Sequence, residues 1–143
     1  MPTPRQTQGR TISMNAKATS FATYQDLVGF IKCLQKGNSS DYCYNYGDNG
    51  EGASGKVTAQ RNIPMCALNS ADLHAKWGST TAAWGKLVRV KLIGMGHGDE
   101  FEAEVADLGP HGVIDLNPAA LISAGLPEDT NLSCSAEWDW VED

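Results

Sequence analysis

The chain has no run of basic residues: its 11 lysines and arginines are scattered among 17 acids, for a net charge of −6. Such a surface repels a phosphate backbone, so nucleic acid is not an expected partner, and an anionic membrane surface is disfavoured on the same ground. No apolar run approaches the roughly 18 residues of a membrane-spanning helix. The C-x-x-C spacing is missing. His74, His97 and His111 lie 23 and 14 residues apart, so no metal-ligand spacing occurs, and neither metal nor cofactor is expected. The opening "MPTPRQTQGRTISMNAKATS" lacks the apolar stretch of a signal peptide. Residues 1–16 therefore read as a flexible lead. Residues 17–143 read as one domain, long enough to bury its own core, and we expect a monomer.

What is present is punctuation. Fifteen glycines break the apolar residues into short runs, as in a chain of short strands and tight turns, so the expected class is mainly β with short helices in the connections. "ATSFATYQ" reads as a first strand and "VTAQRNIPMCALN" as a strand followed by a turn. "GKLVRVKLIGMG" is the clearest strand, and with "FEAEVADL" it reads as a hairpin. "GVIDL" is a short buried strand, and "NLSCSAEWDWV" closes the chain. "DLVGFIKCLQKG" is expected to be helical, with Leu27, Phe30, Ile31 and Leu34 on one face. "SADLHAKWG" reads as a short helix capped by Ser70. "NPAALISAGL" has Asn117 as N-cap, Pro118 at the first position and Gly125 at the end. "NSSDYCYNYGDNGEGASGK" reads as loop, and if extended it puts Tyr42, Tyr44 and Tyr46 on one face.

Four cysteines without metal spacing point to disulfides. Of the three connectivities we favour Cys33 with Cys43 and Cys66 with Cys134. Disulfides imply an oxidising location, extracellular or in the cell envelope, reached after removal of an export signal or by a route such as lysis or a phage particle.

Two aspartates, Asp107 and Asp115, flank a Gly-Pro-His-Gly turn inside "VADLGPHGVIDLNPAAL", each beside apolar residues. Carboxyl groups in apolar walls have raised pKa values, and two facing one groove raise each other further, which suits acid/base work. The simpler readings are that Asp107 caps its own turn and that Asp115 bonds a neighbouring backbone. His111 sits between them and is a third candidate for proton transfer.

These residues carry a resemblance. "VADLGPHGVIDLNPAAL" is similar to the D-x-G-P turn and V-I-D-L-S strand of the rare lipoprotein A family and the expansins, whose relatives include barwin-like proteins and family 45 endoglucanases. "GASGK" resembles their glycine-rich T-A-S-G-E or G-A-C-G, "WGKLVRV" their G-T-x-V-R-V strand, and "AEWDWV" their closing V-x-W-x-F-V. The resemblance covers residues 17–141 and implies a six-stranded double-psi β-barrel that acts on wall polysaccharide.

The implied activity is lytic-transglycosylase-like cleavage of peptidoglycan with Asp107 as general acid/base. The alternative is a non-catalytic glycan-binding or inhibitor module. Asp115 matches the strand acid of family 45, and "ATYQD" resembles that family's T-R-Y-W-D, which adds Asp26 and Tyr24. The lipoprotein A glutamate and histidine are replaced by Lys56 and, near the matching place, Ser79; Glu51, and His74 or His111, are the nearby substitutes. Because sugar faces stack on aromatic rings, Tyr44, Tyr46 and Trp77 complete the substrate-binding candidates.

Overall fold

The computed structural model describes residues 14–141. In chain order it runs β1 (Met14–Ser20), α1 (Tyr24–Gln35), α2 (Ser40–Cys43), β2 (Met65–Leu68), α3 (Ser70–Trp77), α4 (Thr80–Ala83), β3 (Leu87–Ile93), β4 (Phe101–Leu108), β5 (Val113–Leu116), α5 (Pro118–Ser123) and β6 (Ser133–Trp140). The strands close in the order β1-β5-β2-β4-β3-β6, a double-psi β-barrel. β1 with β5 and β2 with β4 are parallel; the other neighbours are antiparallel. Closure pairs every strand on both sides, so the sheet has no free edge.

Period-2 alternation decides which residues fill the barrel. Val88, Val90 and Leu92 of β3, Ala103 and Val105 of β4, Ile114 and Leu116 of β5, and Ala136, Trp138 and Trp140 of β6 form the core. Trp138 and Trp140 meet edge to face at 5.4 Å, and Trp77 from α3 stacks the same way on Trp140 at 5.5 Å. The β3–β4 hairpin and α5 lie where the sequence puts them, with Asn117 as the cap and Pro118 at its first position.

Asn117 does more than cap. It is fully buried. Its Oδ1 accepts from Ala120 N at 3.0 Å and Met65 N at 2.8 Å. Its Nδ2 donates to the carbonyls of Thr58 and Ile63 at 3.0 and 3.1 Å. One side chain therefore ties α5 to β2 and to the loop before it.

Several expectations are corrected. The first strand runs over Met14–Ser20 rather than residues 18–25, because Thr23 caps a helix that already includes Tyr24; of the expected lead, residues 1–13 lie outside the described residues. In "VTAQRNIPMCALN" only Met65–Leu68 is strand; Val57 makes an isolated bridge to Glu51, and Gln60 folds the intervening turn by accepting from Asn62 and Ile63 N. Helix α3 is capped by Asn69 rather than Ser70. On α1 the buried residues are Phe30 and Cys33, whereas Ile31 and Leu34 are exposed. The tyrosine segment is helical at α2, so Tyr42 and Tyr46, four apart, share a face, with their hydroxyls 3.0 Å apart, while Tyr44 packs on Phe30.

The Cys33–Cys43 disulfide is present and staples α1 to α2. Cys66 and Cys134 are free, against expectation. β2 and β6 lie three places apart in a ring of six, so the two cysteines stand on opposite walls of the barrel. Burial, with Glu104 and Asp115 nearby, pushes the Cys66 thiol far above its ordinary range.

Two measurements check this arrangement. Thiol titration of the denatured, unreduced chain should find two reactive thiols, and in the native chain Cys134 should react well before Cys66. Asn117→Ala strands two buried donors and two acceptors and should lower unfolding stability by about 3 kcal/mol, read by urea denaturation.

Candidate functional site

A register irregularity builds the site. β2 and β4 pair as Cys66 with Val105 and then Ala67 with Asp107, so Ala106 is an extra residue on β4. Without that bulge Asp107 would share the inward phase of Val105. With it, Asp107 joins an outward row. Ala67 lies opposite Asp107 on one side and Asp115 on the other, and Asp115 lies opposite Thr19. Four adjacent strands thus present Asp107, Ala67, Asp115 and Thr19 on the outer face. Strand spacing sets the two aspartate Cα atoms about 10 Å apart, with only an alanine methyl between them.

The glycine-rich "EGASGK" loop closes on this row. A Cβ at Gly52 would stand 2.2 Å from the Ala106 carbonyl oxygen, so only glycine permits the approach. The loop then donates Ala53 N to Asp107 Oδ1 at 2.9 Å, and Leu108 N donates to the same oxygen at 2.8 Å. Both bonds fall on Oδ1. The carboxyl group is thereby held in place.

Around Asp107 lies an open cleft of about 390 Å³ lined by Tyr44, Asp48, Asn49, Glu51, Gly52, Ala53 and Asp107. The sequence reading missed Asp48. Its Oδ1 accepts from Gly50 N at 2.6 Å, and its own N–H donates to the Asp26 carbonyl at 3.1 Å. Burial pushes its carboxyl above the ordinary range; the Gly50 bond pulls the other way, and Asp107 and Asp26 add to the rise. "YGDNG" carries the local signal of an Asx turn, and nothing local reveals the burial that makes this acid unusual.

Asp115 is also raised, first by burial. The Thr19 hydroxyl donates to its Oδ1 and opposes the shift, whereas Asp26, Asp107 and Asp48 increase it. It lines none of the open clefts described here. Asp26 forms a capping box with Thr23 at the start of α1 and lines a neighbouring cleft of about 370 Å³ with Ser20, Tyr46, Asp129 and Asn131. Asp26, Asp48, Asp107 and Asp115 are therefore one electrostatic group.

The other candidates divide. Tyr44 lines the Asp107 cleft and Tyr46 the Asp26 cleft, both at least half exposed. Tyr24 is exposed and lines a smaller recess beside the Arg61–Glu128 ion pair. Trp77 is not brought to the acids: it packs on Trp140 with the Lys86 ammonium 4.5 Å from its ring centre. His111 stands exposed on the β4–β5 turn and is not among the residues lining the Asp107 cleft. Lys56, in the place of the family glutamate, is 2.5 Å from Glu104, and Ser79 caps α4. Glu51 does line the cleft. Among the described residues no group of three or more His, Cys, Asp or Glu side chains is placed to hold a metal ion, and no helix is long and apolar enough to cross a membrane.

No protein-family model and no curated protein matches the chain. Solved structures do match by fold. An expansin of Clavibacter michiganensis in its unliganded form superposes with a TM-score of 0.51 at 16% identity, over 91% of this chain and 50% of its own. A point mutant of that expansin in complex with cellohexaose gives 0.47 at 16%, over 91% and 52%. A papain inhibitor of Streptomyces gives 0.46 at 18%, over 89% and 96%. The chain spans about half the length of the expansin, and the likeness is one of barrel fold.

The two raised carboxyls make a stability prediction. Between the unfolded and folded pKa values the native state binds more protons, so folding stability decreases as pH rises through that window. Asp115→Asn keeps an acceptor for the Thr19 hydroxyl and removes the buried charge. Urea denaturation should show the variant gaining on wild type at pH 7, with the gain vanishing below about pH 4.

Proposed function

We propose that the chain acts on cell-wall polysaccharide and cleaves peptidoglycan glycan strands as a lytic transglycosylase does, with Asp107 as general acid/base. The observation that supports this most is the open cleft in which a backbone-anchored Asp107 stands beside an exposed tyrosine ring and a second, raised carboxyl. A pyranose face stacks on Tyr44, and the carboxylates accept from its hydroxyls. The protonated carboxyl gives its proton to the glycosidic oxygen as the C1–O bond breaks. The sugar's own C6 hydroxyl then bonds C1 and returns a proton to carboxylate, so no water is consumed. Asp115 shapes the groove wall from beneath. The Cys33–Cys43 disulfide suits an extracellular or envelope location.

A second reading has a specific observation in its favour. Where the lipoprotein A enzymes carry a glutamate, Lys56 is bound in an ion pair to Glu104. A barrel that lacks that acid binds wall glycan without cutting it, or blocks a partner enzyme.

Digestion of purified sacculi separates the two. Cleavage yields muropeptides ending in anhydro sugars, and Asp107→Asn should reduce that yield at least about 100-fold while leaving the fold intact by circular dichroism. Co-sedimentation with insoluble wall but no new ends supports the binding module, and intact sacculi without co-sedimentation remove the glycan target altogether.

A further inference from the structure

The acid chemistry proposed above is assigned to one residue, but the cleft holds a better place for the proton. We infer that Asp48 is the second catalytic carboxyl of this cleft: it delivers the proton to the glycosidic oxygen, and Asp107 serves as the base that takes the proton of the attacking hydroxyl. This rests on the glycan-cleaving reading and divides its acid/base work between two groups.

The two carboxyls line one open cavity but are held differently. Asp107 takes two backbone N–H bonds on one oxygen, one from its own strand and one from the glycine-rich loop, so its carboxyl is held in a fixed orientation. Asp48 is half-buried on the opposite loop, with a single backbone donor, Gly50 N. Its backbone is fixed from several sides. Its N–H is bound to Asp26 O, and a Cβ at Gly47 would stand 2.0 Å from that same oxygen. A Cβ at Gly29 of α1 would stand 2.3 Å from Tyr46 O, and the Cys33–Cys43 bond closes the segment.

The charged groups acting on Asp48 come from the elements packed around it: Asp26 from α1 and Asp107 from β4, both of which make it harder to ionise. Glu51, from its own loop, lines the cleft as well, and Asp115 of β5 also interacts with it; both are acids. Among the described residues no cation lines the cleft, and the Gly50 bond is what favours the charged form of Asp48 there. A half-buried carboxyl that is harder to ionise and a second carboxyl anchored by backbone on the same cleft supply the two groups an acid and a base require.

The step balances. Asp48 loses a proton to the leaving oxygen as C1–O breaks; C1–O6 forms, and the C6 hydroxyl proton goes to Asp107. The next cycle begins after a proton returns from Asp107 to Asp48 through the open cleft.

The test uses the full chain and three variants, Asp48→Asn, Asp48→Glu and Asp107→Asn. Asparagine keeps the acceptor for Gly50 N, so Asp48→Asn should fold as wild type does. On wall glycan its kcat should fall about 100-fold or more with KM little changed, and Asp48→Glu should recover part of it. In wild type kcat should decline as pH rises through the Asp48 pKa, and that limb should be absent from the residual activity of Asp48→Asn.

A glycoside whose phenolate leaving group needs no proton should restore Asp48→Asn to within about 10-fold of wild type but leave Asp107→Asn slow. Asp48→Asn within about threefold of wild type on wall glycan overturns the assignment. So does a slow Asp48→Asn that the activated substrate fails to rescue, which makes the residue structural. A wild-type chain that leaves every glycan intact instead overturns the cleavage reading, and this inference with it.

Discussion

The extra residue between Val105 and Asp107 is the constraint from which the acidic face follows. Barrel closure demands that β4 keep Val105 inside and stay paired with β2, and a strand in perfect register would then drive Asp107 into the core. One inserted alanine reverses the phase. Ala106 is itself fully buried, and its carbonyl receives Ser54 N while lying under Gly52, so the bulge also provides the seat on which the glycine-rich loop rests. Orientation of Asp107, closure of the loop and the backbone bond that fixes the carboxylate are three results of one register shift.

The acids are gathered against their own repulsion. Asp48 and Asp115 both carry raised pKa values with burial as the first cause and neighbouring aspartates as further ones, so at neutral pH this face opposes folding. The opposing forces are spread through the molecule. The edgeless barrel, the Trp77–Trp140–Trp138 stack, the buried Asn117 and the Cys33–Cys43 staple all lie outside the acidic row. Stability resides in the core and the connections, and the outer face is left to hold an arrangement that stability alone would not select.

Much of the fold was legible because it rests on local pattern. Alternation in "LVRVKLI" and "FEAEVADL" and the Asn-Pro start of α5 are local signals, and the structure bears them out. The resemblance at "VADLGPHGVIDLNPAAL" added the barrel and drew attention to Asp107 and Asp115. What escaped has a tertiary cause. Cys66 and Cys134 are a plausible pair until the strand order puts them on opposite walls. Three alternating tyrosines suggest an extended face until Ser39 caps α2 and turns Tyr44 toward Phe30. Asp48 looks like an ordinary turn residue because the turn is local, whereas its burial depends on α1 and β4, far away in sequence.

The sign of the cleft bears on the chemistry it suits. Glu104, on the strand beside the cleft, meets Lys56 at 2.5 Å, so the nearest lysine of the glycine-rich loop is engaged there rather than with Asp107 or Asp48. The carboxyl groups facing the cavity keep their negative potential, and Asp26 and Asp115 beside them deepen it. A glycosidic bond breaks through a state with positive charge on the anomeric carbon and ring oxygen, so a fixed negative field lowers that barrier while contributing little to the neutral ground state. The same crowding makes Asp48 and Asp115 harder to ionise. On the cleavage reading proposed above, a cluster that must hold a proton and stabilise a cation gains from each acid.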